Sequence, residues 1–197
     1  MKDFNVLLFD GFETLDAFGP VEIISKLNEI YRLNYFSFDQ KTVTAAQWLN
    51  IKTVGNNDIN TEGILLVPGG MGTRGLVNDR EFLEKLENLA DKAEYVLSVC
   101  TGSALLAKCG FLDNKMATTN KLAYDWATSQ SNRVIWQKSA RWVADGNVYT
   151  SSGVSAGMDM VLGFVHDMHG EDTARKTAER IEYIWNSDKD NDPFSVK

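Results

Sequence analysis

Two cysteines in 197 residues are too few for a disulfide scaffold. Histidine is equally scarce, with only His166 and His169. Neither C-x-x-C nor H-E-x-x-H occurs, and His166-x-x-His169 with no cysteine nearby is a weak ligand pair, so no metal or cofactor is expected. Positive charge is in deficit: 20 Lys and Arg against 27 Asp and Glu leave a formal net charge of −7, which argues against nucleic acid as the main partner. Long hydrophobic runs are missing too. After Met1-Lys2-Asp3-Phe4-Asn5 the apolar stretch Val6 to Phe9 is too short for a signal peptide or a membrane span, so a reducing, cytoplasmic setting without membrane contact is expected. Internal repeats, low-complexity tracts and long linkers are absent, and the length suits one domain over residues 1–197 with 186–197 as a flexible tail.

What is present converges on one cysteine. Tyr95 to Val99 is a short apolar run with β-branched residues after the charged segment Asp91 to Glu94, and it reads as a central strand. Ser103 to Ala107 is small, unbranched and helix-prone. Cys100 stands at the joint. A strand turning at once into a helix cramps the corner residue, so small neighbours are needed two positions to either side, and Ser98 and Gly102 supply them. This is the logic of the G-x-S-x-G elbow with cysteine in place of serine. It presents the sulfur at the carboxyl end of the sheet and at a helix N-terminus, where the thiolate is favoured. A free cysteine can also be a small core residue; strand, flanks and helix start together favour the nucleophile. Upstream, Gly63 to Val67 is a second buried strand, ending in Pro68-Gly69-Gly70-Met71-Gly72. The amides of Gly69 and Gly70 could join that of Thr101 in an anion hole, or the glycines could simply make a tight turn.

Along the chain, Phe4 to Phe9 reads as the first strand, followed by the turn Asp10-Gly11-Phe12-Glu13-Thr14-Leu15-Asp16 at its carboxyl end, where α/β sheets bind ligands. Gly19-Pro20 fits a helix start, with Val21, Ile24, Leu27 and Ile30 at helical spacing. Glu13 and Asp16 are then carboxylates beside the sheet edge, serving either the site or the helix cap. Leu33 to Phe38 is the second strand. Thr42 to Thr53 suggests a pair of short strands with Trp48 as partial apolar cover, and Asp79 to Ala90 an amphipathic helix with Phe82, Leu83, Leu86 and Leu89 on one face. Cys100 and Cys109, nine apart on what reads as one helix, face opposite ways and should not pair. Beyond them come a strand end at Lys115 to Asn120, a helix Lys121 to Ser129, short strands at Val134 to Trp136 and Arg141 to Val143, a turn at Asp145-Gly146-Asn147 leading into Val148 to Thr150, and helices Ser155 to His169 and Asp172 to Trp185. Small residues from Ser151 to Gly157 either line a pocket or cap the helix they precede. The order of elements demands a mostly parallel sheet covered on both faces, a Rossmann-like (flavodoxin-like) three-layer α/β sandwich.

Gly11-Phe12-Glu13-Thr14-Leu15-Asp16 with Gly19-Pro20, the turn Pro68-Gly69-Gly70, the elbow Ser98 to Ser103, Ala117-Thr118-Thr119 and Ser151 to Asp159 together resemble the ThiJ/PfpI superfamily, which shares its fold with class I glutamine amidotransferases. Within it the pattern looks most like isocyanide hydratases and the related domain of AraC-type regulators; no helix-turn-helix region follows, so a regulator is not expected. The resemblance implies Cys100 as nucleophile, Asp16 as the proton donor and acceptor beside it, the turn at Gly69 and Gly70 and the Thr101 amide as binders of negative charge, and Gly153 and Val154 bordering the substrate. It also implies a homodimer, for which five tryptophans offer some support. One departure matters: relatives using a Cys-His pair usually carry histidine near the elbow or after Ala-Thr-Thr, where this chain has Thr101 and Asn120. The resemblance therefore implies a histidine-free enzyme that hydrates a small electrophile, turning an isocyanide into an N-substituted formamide through a thioimidate. The alternatives are a redox sensor or small-molecule binder using Cys100 oxidation, and glyoxal chemistry, which the missing histidine weakens.

Overall fold

The computed structural model describes residues 1–39 and 41–195. Its elements in chain order are β1 (Lys2–Leu7), α1 (Thr14–Ser25), β2 (Tyr31–Ser37), β3 (Thr42–Thr44), β4 (Asn50–Lys52), β5 (Val54–Gly55), β6 (Ile64–Val67), α2 (Thr73–Leu76), α3 (Arg80–Ala90), β7 (Tyr95–Val99), α4 (Gly102–Lys108), β8 (Met116–Ala117), α5 (Tyr124–Thr128), β9 (Ile135–Trp136), β10 (Trp142–Asp145), β11 (Val148–Ser151), α6 (Ala156–His169) and α7 (Glu171–Arg180). A seven-stranded sheet runs β10-β11-β7-β6-β1-β2-β5, parallel except for the β10–β11 hairpin at one edge. This is the flavodoxin-like α/β sandwich the alternation of elements demands.

The central strands β6 and β7 are apolar on both faces because helices cover both: α1 packs on α6 on one side, and α2 and α3 pack on α4 on the other. Leu65, Leu66, Val96 and Leu97 are fully enclosed, each such side chain contributing about 1.5–3 kcal/mol. The site lies at the carboxyl ends of β1, β6 and β7, where chain order reverses direction across the sheet.

Several expectations are corrected. The first helix begins at Thr14, six residues before Pro20, which sits inside it. Gly19-Pro20 serves packing: a Cβ at Gly19 would lie 2.8 Å from Cγ of Met158 on α6, so glycine lets the two helices approach. Trp48 covers nothing, standing 87% exposed at the tip of the β3–β4 hairpin with φ +63°. The last helix stops at Arg180, because Glu182 turns into the left-handed region and Tyr183 and Trp185 fold back onto Asp159. Cys109 caps the end of α4 and Cys100 precedes its start; both thiols are free.

The described part of the tail is also held in place. Arg141, buried, binds Asp159 through two nitrogens at 2.6 Å and faces buried Asp192 at 3.8 Å. The Asp192 amide donates to the Ser139 carbonyl, and the Arg141 amide to that of Lys189. The expected flexibility of this charged segment gives way to a partner distant in sequence, the buried arginine immediately before β10. Val196 and Lys197 of the expected tail lie outside the described residues.

Candidate active site

Cys100 takes a φ of +58°, a conformation that costs a non-glycine residue about 1–3 kcal/mol and survives only where the surroundings hold it. They do so here. Its amide donates to the Ser152 and Ser151 carbonyls at 3.0 and 3.2 Å, while its carbonyl accepts from the hydroxyls of Ser103 at 3.0 Å and Thr119 at 3.1 Å. Gly102 is obligatory at the corner, since a Cβ there would sit 2.3 Å from the Val67 carbonyl oxygen. The elbow thus comes from β7, its helix α4, the β11 end and the Ala-Thr-Thr segment acting together.

The Cys100 sulfur accepts a hydrogen bond from Nδ2 of Asn120 at 3.1 Å, and the backbone N–H groups of Thr101 and Val154 also act on it. Asn120 Oδ1 accepts the Ala123 amide at 2.9 Å, which turns the NH₂ toward the sulfur. Val154 adopts φ +42°, unusual for a β-branched residue, and this strain presents its amide. A Cβ on Gly153 would meet Asn120 Nδ2 at 2.5 Å, so glycine leaves room for that donor.

Asp16, in the first turn of α1 and fully buried, faces the same sulfur. Its Oδ2 accepts the Gly69 amide at 2.9 Å, and its Oδ1 is buried without a hydrogen bond. Burial pushes the carboxyl up to about 7, against the pull of the Gly69 amide and the Cys100 thiol, with a small upward push from Glu13. The thiol is likewise pushed up, to about 12, by burial and by the Asp16 charge, which outweigh its three N–H neighbours. The expectation of a thiolate favoured by the helix start is therefore corrected: a seven-residue helix cannot offset enclosure beside a carboxylate. The two groups form one coupled pair that carries a single proton over the range between these values.

The expected anion hole is also rearranged. The Gly69 amide is committed to Asp16, and the Gly70 amide donates to the Thr101 hydroxyl at 3.1 Å, so neither points at the sulfur. Glycine at 69 is needed because a Cβ would lie 2.6 Å from the Thr101 amide nitrogen and 2.9 Å from Asp16 Oδ2. Glu13 turns away to Gln47 Nε2, at 2.7 Å, leaving Asp16 alone beside the cysteine. The histidines lie in the last turn of α6, where His169 Nε2 meets the Tyr31 hydroxyl at 2.7 Å and His166 stacks edge-on to Trp185.

Two features escaped the sequence reading. Asn120, noted only as the place where a histidine is missing, is itself a donor to the sulfur; its position directly after Ala117-Thr118-Thr119 was the available signal. The second is a cavity of about 610 Å³ whose lining includes Asn120 and Val154, with apolar walls from Leu122, Tyr124, Trp126 and Phe194. Its lining joins residues 120–126 to residues 152–155, Asp192 and Phe194, and no local motif links segments that far apart.

Fold and site define an α/β protein that presents a cysteine, paired with a buried carboxyl, at a strained strand-to-helix elbow. The chain belongs to the DJ-1/PfpI family, whose family model matches residues 2–167. It is 33% identical over 178 residues to an isonitrile hydratase of Pseudomonas putida, covering 90% of this chain and 76% of that protein. It is also 29% identical over 196 residues to the HTH-type transcriptional regulator GbdR of Pseudomonas aeruginosa, of which it spans about half, 51%, while 92% of this chain is covered. Among solved structures, a ThiJ/PfpI family protein from Pseudomonas syringae superposes with a TM-score of 0.83 at 25% identity, over 94% of this chain and 76% of that one. Drosophila melanogaster DJ-1beta superposes with a TM-score of 0.78 at 17% identity, over 93% and 99% of the two chains, a likeness of fold.

Proposed function

We propose that this protein hydrates a small electrophilic carbon, converting an isocyanide to an N-substituted formamide. The observation that carries the reading is the buried Asp16 carboxyl, raised to about 7, facing Cys100 where no histidine makes contact. The likeness to an isonitrile hydratase supports it.

In this reading the one-proton pair is the reactive form. The Cys100 sulfur attacks the terminal isocyanide carbon as its proton passes to Asp16, and Asp16 delivers that proton to the same carbon, giving a thioimidate. Water then adds to the thioimidate carbon while Asp16 takes a water proton. The tetrahedral adduct collapses with loss of the sulfur, the nitrogen ends protonated, and the formamide leaves. One isocyanide and one water give one formamide, and the Cys100–Asp16 pair regains its single proton. The amides of Thr101 and Val154 and the NH₂ of Asn120 stabilise the sulfur whenever it carries charge. The apolar cavity beside them has room for the nitrogen substituent.

A sensing role through Cys100 oxidation is less well supported, because a thiol enclosed and pushed up to about 12 is a poor target for peroxide. Aldehyde chemistry of the Cys-His kind lacks its base. We also place the protein in the cytoplasm as a homodimer, a reading helped by the exposed Trp48 and Met71 flanking the Gly11 turn; sedimentation at a monomer's mass would overturn the dimer. Among the described residues no helix is long and apolar enough to cross a membrane. The deciding assay is formamide production from para-nitrophenyl isocyanide, with Cys100→Ala and Asp16→Asn alongside. Turnover by the native chain that both substitutions abolish is expected; no turnover by the native chain, or an active Asp16→Asn variant, sinks the proposal.

A further inference from the structure

The cavity of about 610 Å³ shares Asn120 with the reacting sulfur, which accepts its Nδ2–H at 3.1 Å. Gly153, against which that same Nδ2 lies, is also part of its lining. Another wall comes from the far end of the described chain, where Asp192 and Phe194 line the same space. The mechanism above gives this wall no role.

Phe194 is 72% exposed, yet the segment that carries it is fixed. The Asp192 amide donates to the Ser139 carbonyl at 2.7 Å, Asp192 Oδ1 accepts the Phe194 amide at 2.9 Å, and the Ser195 amide returns to the Asp192 carbonyl at 2.9 Å. Asp192 is buried beside Arg141, so an enclosed carboxylate sets the turn from which the ring projects. A single exposed apolar side chain is ordinary on a protein surface. One held by a buried acid over a cavity that abuts the nucleophile's own partner is not.

Tyr124 and Trp126 of α5 line the cavity as well, and the Arg74 guanidinium stacks on the Trp126 ring at 3.2 Å and fixes its plane. Among the described residues neither ring packs on Phe194, so three aromatic side chains border one space without filling it. A flat apolar group in that space gains burial on more than one face, whereas a methyl group leaves most of it empty.

We propose that Phe194, held by the Asp192 turn, is a specificity-determining residue that packs on a ring-bearing substituent of the electrophile attacked by Cys100. The substrate class is then an electrophile carrying a flat apolar ring, in preference to one carrying a small alkyl group. The identity of the reacting group as an isocyanide rests on the hydratase reading; the ring preference does not.

The test uses iodoacetamide and iodoacetanilide, which share the reacting carbon and differ by a phenyl ring. Their rates at Cys100 are followed by peptide mass, and the ratio of anilide to amide is compared with that for N-acetylcysteine at the same pH. Both reagents react with the thiolate, so its abundance cancels in the ratio. Enclosure of one ring predicts a native ratio about tenfold above the reference. Phe194→Ala should lower it about fivefold and Phe194→Leu should keep part of it. The ring is exposed and outside the core, so both variants keep the fold. A native ratio at or below the reference overturns the proposal, as does a ratio unchanged in Phe194→Ala or failure of both reagents to reach Cys100. Sedimentation of native and Phe194→Ala proteins covers the other occupant: a dimer that the substitution splits assigns the ring to a second copy and also overturns the proposal. Turnover of benzyl and methyl isocyanide separates the two readings. Phe194→Ala should raise KM for the benzyl compound and leave that for the methyl compound unchanged. A raised alkylation ratio that Phe194→Ala lowers, without any formamide, keeps the ring wall and removes the hydratase. Formamide from both compounds with kcat/KM values unaltered by Phe194→Ala, and a reference alkylation ratio, keeps the hydratase and removes the role of Phe194.

Discussion

Replacing Asp16 by asparagine should abolish turnover and yet make the protein more stable at neutral and alkaline pH. The carboxyl is fully buried, and its pKa rises from 3.8 in the unfolded chain to about 7 in the folded one. A raised carboxyl pKa means that the folded state holds a proton the unfolded state has lost, so stability falls as pH rises from about 4 to about 7 and stays low above that. At 1.36 kcal/mol per pKa unit this is worth about 4 kcal/mol above pH ~7 and nothing below pH ~4. Asparagine keeps an acceptor for the Gly69 amide at the Oδ2 position and carries no charge. Urea denaturation of native and Asp16→Asn proteins at several pH values between about 4 and about 8.5 reads the difference directly. The variant's advantage should grow across this window to between about 2 and about 4 kcal/mol. A difference that does not change with pH, or a variant less stable than the native chain at pH ~8, would refute the claim that burial rather than hydrogen bonding governs this carboxyl.

Because the reactive pair carries one proton, kcat/KM for hydration should fall about tenfold per pH unit below about 7, with no second break up to pH ~10; a flat acid limb would remove Asp16 as base. Asn120→Ala deletes the donor 3.1 Å from the sulfur and should lower kcat about 10²-fold with little change in KM, measured by steady-state kinetics. Arg141→Met leaves Asp159 buried and uncompensated and frees Asp192. It should cost about 3–5 kcal/mol in urea and speed proteolytic cleavage within residues 186–195.

The sequence by itself determined the parts of this protein that depend on neighbours along the chain. Alternation of apolar strands with amphipathic helices is a local property, and it carried the parallel sheet and its two covered faces. The elbow was legible for the same reason, since a strand-to-helix corner demands Ser98, Gly102 and a helix former within a few residues of Cys100. Asp16 was reached through resemblance, although its segment alone could equally have been a helix cap. Only the tertiary structure decided what each polar group faces. Two glycine amides that could have bound an anion are used to orient Asp16 and Thr101. A helix start that favours a thiolate is overruled by enclosure beside a carboxyl. A tail expected to be flexible is bound, over its described residues, by a buried arginine, and Arg74 stacks on Trp126 from 52 positions away in the chain. Burial and electrostatic pairing act through space, and no spacing along a sequence encodes them.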